Sequence, residues 1–200
     1  MKKRIFTIAA VCAAVCCLGA CAEHKEPVKD ELEALNAMLK ADYSQIVLTV
    51  TDTFDETASL TSEYTFTYSG DTVTVAYTVE RFAGADDMMN DPLGSLKTTL
   101  TGEAVIKDGV IVSLNGDDVG LTADNVRLGL TFKAEYFEVT EISGVRFTAD
   151  VKNVRGFLDW TLPCTNMKVR ATFLEVFYDI QITYTSAIGS NVEYKYVFTL

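Results

Sequence analysis

EYTFTYSGDTVTVAYTVE, residues 63–80, alternates apolar and polar side chains on both sides of Gly70 and Asp71. Tyr64, Phe66 and Tyr68 fall on one face and Glu63, Thr65 and Thr67 on the other, as a pleated strand requires. A two-residue Gly70, Asp71 loop pairs Tyr68 with Val73, Phe66 with Val75 and Tyr64 with Tyr77. Apolar meets apolar along the whole hairpin, so the register is self-consistent. The stretch predicts two antiparallel strands with one dry face and one threonine-rich wet face.

The same period continues outward. Ile46, Leu48 and Val50 alternate with Val47, Thr49 and Thr51 upstream. Downstream, LKTTLTGEAVIKDGVIVSL (96–114) reads as a second hairpin. A three-residue loop with Gly109 left-handed, pairing Ile106 with Val110 and Ala104 with Val112, is preferred there to a two-residue Asp108, Gly109 loop. Leu128, Leu130, Phe132, Ala134 and Tyr136 alternate again, as do Val145, Phe147, Ala149 and Val151, and two strands, 176–184 and 192–200, end the chain. Met167, Val169, Ala171 and Phe173 hold one parity and Val176, Tyr178, Ile180, Ile182 and Tyr184 the other, which predicts a bulge or break near Leu174 and Glu175. DDMMNDPLG (86–94) and NGDDVGLTADN (115–125) read as loops, and VRGFLDWTLPC (154–164) as an irregular or short helical connection.

Ahead of the strands, VKDELEALNAMLKADY (28–43) places Val28, Leu32, Leu35 and Leu39 at helical spacing, with Pro27 suited to a first helical position. The expected fold is therefore mainly β: an N-terminal amphipathic helix followed by a curled antiparallel sheet of about nine strands. Such a sheet, opened flat, is about 40 Å wide, and one helix about 10 Å across. The helix cannot cover the apolar face. The sheet must curl into a half-barrel or barrel, fold as a sandwich, or leave a hydrophobic concavity.

The first residues, Lys2, Lys3 and Arg4, precede an apolar run from Ile5 to Leu18 and then small residues, the order of a secretory signal. The run is shorter than the roughly 20 residues of a spanning helix. Of the early cysteines, Cys12 and Cys16 follow valines and Cys17 follows a cysteine; only Cys21 follows the small pair Gly19 and Ala20. LGAC (18–21) resembles the lipobox of bacterial lipoproteins, a resemblance that implies cleavage before Cys21 and diacylation of its sulfur. Residues 1–20 are then the signal peptide, 21–27 the lipidated cysteine and tether, and 28–200 a single domain. Attachment is to a bacterial membrane, the cell membrane or the outer membrane, on its extracytoplasmic side.

Loss of Lys2, Lys3 and Arg4 lowers the basic count from 17 to 14 against 28 acids, a formal charge of −14. That charge opposes nucleic acid and docking on anionic headgroups, so membrane attachment falls to the acyl chains. Two cysteines remain, Cys21 and Cys164. With Cys21 lipidated there is no disulfide framework, and Cys164 reads as a buried small hydrophobe.

Catalytic constellations are not found. The single histidine, His24, sits in the tether, where nothing fixes its geometry. Nucleophile elbow, phosphate-binding glycine loop and paired metal cysteines do not occur. Asp86, Asp87, Asn90 and Asp91, and Asn115, Asp117, Asp118, Asp124 and Asn125, carry calcium-type oxygens without the EF-hand spacing and read as turn residues. No catalytic residue, metal or cofactor is expected; a carboxylate-based hydrolase is a distant alternative. A membrane-spanning barrel is excluded by the charged face that carries Glu63, Glu80, Lys97, Glu103, Lys133, Arg146 and Asp150.

The order of lipobox, helix and long antiparallel meander is similar to the half-barrel lipoprotein carriers of the LolA and LppX type. That resemblance is architectural, and it implies a concave face holding acyl chains, lined by Tyr64, Phe66, Tyr68, Tyr77, Phe132 and Tyr136. The expected function is a noncatalytic binding module for a hydrophobic ligand or lipid. The alternative is a structural or protein-interaction lipoprotein, in which these aromatics fill a closed core and a partner uses an edge strand or loop.

Overall fold

The computed structural model describes residues 29–41, 43–54, 58–83, 97–108, 110–121, 130–143, 146–158, 163–173 and 177–199. The expected signal, Cys21, His24, the tether and the first residue of the expected helix lie outside them, as do Asp86, Asp87, Asn90, Asp91, Asp124 and Asn125.

Helix α1 (Lys29–Met38) leads into β1 (Gln45–Thr53), β2 (Ser59–Ser69), β3 (Thr72–Phe82), β4 (Lys97–Lys107) and β5 (Val110–Gly116). A 3₁₀ turn (Ala134–Tyr136) precedes β6 (Phe137–Ser143) and β7 (Arg146–Val151). The short helix α2 (Val154–Leu158) then leads to β8 (Cys164–Phe173), β9 (Phe177–Ser186) and β10 (Asn191–Thr199). The ten strands among the described residues belong to one antiparallel sheet, in the order β5-β4-β3-β2-β1-β10-β9-β8-β7-β6.

The hairpin around Gly70 and Asp71 has the register its side chains demand: Tyr68 opposite Val73, Phe66 opposite Val75, Tyr64 opposite Tyr77. The second hairpin differs. Ile106 pairs with Ile111 and Lys107 with Val110, and a register shift at Val105 and Ile106 then brings Ala104 opposite Leu114. The two-residue loop forms in place of the expected three-residue one, with Asp108 at φ 50°, and the register shift leaves Ile111 and Leu114 opposite the buried Ile106 and Ala104.

Neither a closed barrel nor a two-sheet sandwich forms among the described residues: the sheet is single, and its end strands β5 and β6 do not pair with each other. The reason lies in the chain between them. Leu130, Phe132, Ala134 and Tyr136 alternate as a strand would, yet residues 130–133 are irregular and 134–136 form the 3₁₀ turn. Backbone partners come from elsewhere. The Asn36 side chain accepts from the Phe132 N–H at 2.9 Å and donates to its carbonyl at 2.6 Å. Thr131 N–H donates to the Phe157 carbonyl, and the Tyr136 carbonyl accepts from Lys152 and Asn153. A segment satisfied in this way has no ladder left to link the end strands β5 and β6. The edge strand on this side is β6, whose ladder with β7 carries a register shift between Val139 and Glu141.

This strap, α1 and α2 pack together over one part of the apolar face. Leu32 and Leu35 of α1, Phe132 of the strap and Phe157 and Leu158 of α2 join Phe137, Phe147, Val169, Ile180 and Phe198 in one buried cluster. Phe132 stacks on Phe137 at 5.6 Å and meets Phe147 and Phe157 edge-on at 6.0 and 5.4 Å, the geometries aromatic quadrupoles favour. The break expected near Leu174 and Glu175 lies outside the described residues; on either side of it Met167, Val169 and Ala171 of β8 and Tyr178, Ile180 and Ile182 of β9 are all buried.

Replacing Asn36 with Ala strands the Phe132 N–H and carbonyl against the core. Urea denaturation should show a loss of about 2 kcal/mol, the cost of two orphaned, half-buried backbone groups.

Candidate functional site

Two surfaces carry side chains that a fold alone does not require. The first is a strip of tyrosines on the inner face of the central strands. Alternation along β10 puts Tyr194, Tyr196 and Phe198 on that face, stacked with ring centroids 6.5 and 6.4 Å apart and planes within 19° and 23°. Tyr184 of β9 stacks on Tyr194 at 6.0 Å, and Tyr64 of β2 stacks on Phe66 at 6.5 Å. Leu48 and Val50 of β1 stand between, with Leu48 opposite both Tyr64 and Tyr196 and Val50 opposite Tyr194. Phe66, Tyr184, Tyr196 and Phe198 are buried; Val50, Tyr64, Tyr68 and Tyr194 are half-buried. The row ends at Asp52, whose Oδ1 is buried and takes no hydrogen bond.

The six aromatics expected to line a cavity do not come together as one wall. Tyr64, Phe66, Tyr68 and Tyr77 share the inner face of β2 and β3, with Tyr77 buried and its hydroxyl donating to the Asp117 carbonyl. Phe132 and Tyr136 sit in the other arm, Phe132 inside the phenylalanine cluster and Tyr136 half-buried against Phe137 with Lys133 over its ring. Tyr184, Tyr194 and Tyr196 were not singled out by sequence, although their alternation along the last two strands was visible. Pairing of the first strand with the last is what carries them to Tyr64.

The second surface is on the opposite, threonine-rich face. A groove of about 420 Å³ crosses β1, β10, β9 and β8, lined by Thr51, Thr53, Thr183, Thr185, Asn166, Asn191, Lys168 and Glu193 with Tyr184 and Val192. At the sheet's end, β5 exposes Val110 (62 %), Val112 (59 %) and Leu114 (44 %), while the opposite edge strand β6 exposes Glu138 and Glu141.

Asp117 and Asp118 serve as turn residues: the Asp117 carboxylate accepts from the Thr101 N–H and Asp118 from that of Gly120, both at 2.8 Å. Among the described residues no group of three or more histidines, cysteines or acids is placed to hold a metal ion, and no helix is long and apolar enough to cross a membrane. Cys164 is half-buried, and burial pushes its thiol above its ordinary range, away from reactivity. Compared with protein-family models and with curated proteins, the sequence matches none.

Burial, then the neighbouring Tyr194, holds the Tyr184 and Tyr196 hydroxyls well above the ordinary phenol value of 10.0, and burial with Tyr178 does the same for Tyr43. The folded chain thus keeps phenolic protons that the unfolded chain gives up near pH 10. Stability should be full below that pH and fall as pH rises through it. An alkaline absorbance titration should show these tyrosines ionising only together with loss of the folded circular dichroism signal.

Proposed function

We propose that this chain is a noncatalytic binding module, anchored through acyl chains on Cys21 to the extracytoplasmic side of a bacterial membrane, and that it holds a hydrophobic or lipid-like ligand against the tyrosine strip. The observation that carries the reading is the half-burial of Tyr64, Tyr194 and Val50 in the middle of the inner face. Stacked rings there offer apolar area, and their hydroxyls together with Asp52 offer polar contacts. Such a surface suits an amphipathic molecule, with its chain along the rings and a hydrogen-bond donor at Asp52. The phenylalanine cluster of the other arm is filled, so the ligand has the tyrosine half of the face and not the whole of it.

A second reading, a protein-interaction lipoprotein, is favoured by β5. Its edge carries no charge and no proline along VIVSLNG (110–116), in contrast to the two glutamates of β6. Unprotected edges of this kind accept an added strand.

One experiment separates the two. Full-length protein purified in detergent and examined by native mass spectrometry should carry noncovalent lipid removable by organic solvent. The double variant Tyr64→Ala, Tyr194→Ala should carry several-fold less. Repeated absence of lipid from protein that instead runs as a complex with another chain would overturn the first reading in favour of the second.

The anchor is tested independently. Cys21→Ser should abolish incorporation of labelled fatty acid, and persistence of the label would refute the lipobox.

A further inference from the structure

We infer that the groove on the outer face of β1, β10, β9 and β8 binds an uncharged oligosaccharide. Thr51, Glu193, Thr183 and Lys168 stand side by side across the four strands, and Thr53, Asn191, Thr185 and Thr165 form the next row. Adjacent strands are about 4.8 Å apart and residues on one face of a strand about 7 Å. The floor is therefore a grid of hydroxyl and amide groups with one carboxylate and one ammonium, at close, regular intervals. At about 420 Å³ the groove has the size of a small-molecule site.

The wall on the β8 side is built by an irregularity. The ladder between β8 and β9 shifts between Thr165 and Lys168, and Asn166 takes a left-handed backbone conformation at φ 55°. Asparagine tolerates that conformation better than most residues, and it brings an exposed amide to the rim of the groove.

Lining chemistry selects the ligand. Threonine hydroxyls and asparagine amides both donate and accept, which matches a molecule whose hydroxyls do the same. Threonine methyls supply apolar area for the C–H faces of sugar rings, while Val192 and Tyr184 of the lining turn their side chains to the opposite, inner face. Formal charge in the lining cancels: Lys168 is the cation and Glu193 the anion. Glu193 is fixed by Gln181 Nε2 at 2.7 Å, and so is held as a positioned acceptor. A polar groove with balanced charge offers an anion or a cation no net attraction, which leaves hydrogen bonding to neutral hydroxyls as its means of recognition.

The site lies on the face opposite the tyrosine strip, so it stands whether or not that strip carries lipid. Affinity electrophoresis tests it: full-length protein in a detergent without sugar groups, run through gels cast with dextran, β-glucan, mannan or xylan, and with polygalacturonate as the charged comparison. At least one neutral polymer should retard the protein. The double variant Thr51→Val, Thr183→Val keeps side-chain shape and strand preference while removing two hydroxyls, each worth about 1 kcal/mol as a hydrogen bond. It should bind roughly thirtyfold more weakly, with unchanged circular dichroism and unchanged lipid in native mass spectra. Absence of retardation by every neutral polymer, retardation by polygalacturonate alone, or equal retardation of the variant would each overturn the inference.

Discussion

The pairing of β1 with β10 is the constraint on which the rest of the molecule depends. It runs from Gln45 opposite Thr199 to Thr53 opposite Asn191, joining segments that stand near opposite ends of the chain. The strands on either side follow local antiparallel connections: β1 to β5 meander one way and β10 back to β6 the other. Without this seam there are two smaller sheets, each with an additional open edge in what is now the centre. With it, Leu48 lies between Tyr64 and Tyr196, and the inner face is continuous from one arm to the other.

Both candidate surfaces sit on that seam. The tyrosine strip takes Tyr64 from one arm and Tyr184, Tyr194 and Tyr196 from the other. The outer groove takes Thr51 and Thr53 from β1 and its remaining lining from β8, β9 and β10. A pleated strand sends alternate residues to opposite faces, so one pairing creates an aromatic surface above and a hydroxylated one below. The division of chemistry follows directly from the period of two in the sequence.

What was legible in the sequence was whatever depended on neighbours close along the chain. The hairpin around Gly70 and Asp71 could be registered residue by residue, because each apolar side chain had one sensible partner. Short-range patterns also failed in characteristic ways. At Asp108 and Gly109 a bulge made the rejected loop compatible with an apolar inner face, and at Leu130 to Tyr136 an alternating segment became a strap because Asn36, some 96 positions earlier, supplied its backbone partners. Nothing local marks an asparagine on a helix as the clamp for a distant peptide group. The candidate site was legible in half: Tyr64 and Phe66 stood out, while Tyr184, Tyr194 and Tyr196 acquire meaning only once the first and last strands are known to meet. The groove was hidden altogether, since threonines on a wet face look the same whether the face is flat or hollowed.

The seam also sets an order on assembly. Hairpins within each arm can form as soon as their own residues are present, whereas contacts between distant segments pay their loop entropy before any reward arrives. A growing chain therefore holds β1 with an unpaired edge until the β10 residues appear, and the middle of the sheet, not its rim, is the last part to be stitched. The surfaces that straddle the centre thus come into being in a single late step, after both arms have their own hairpins.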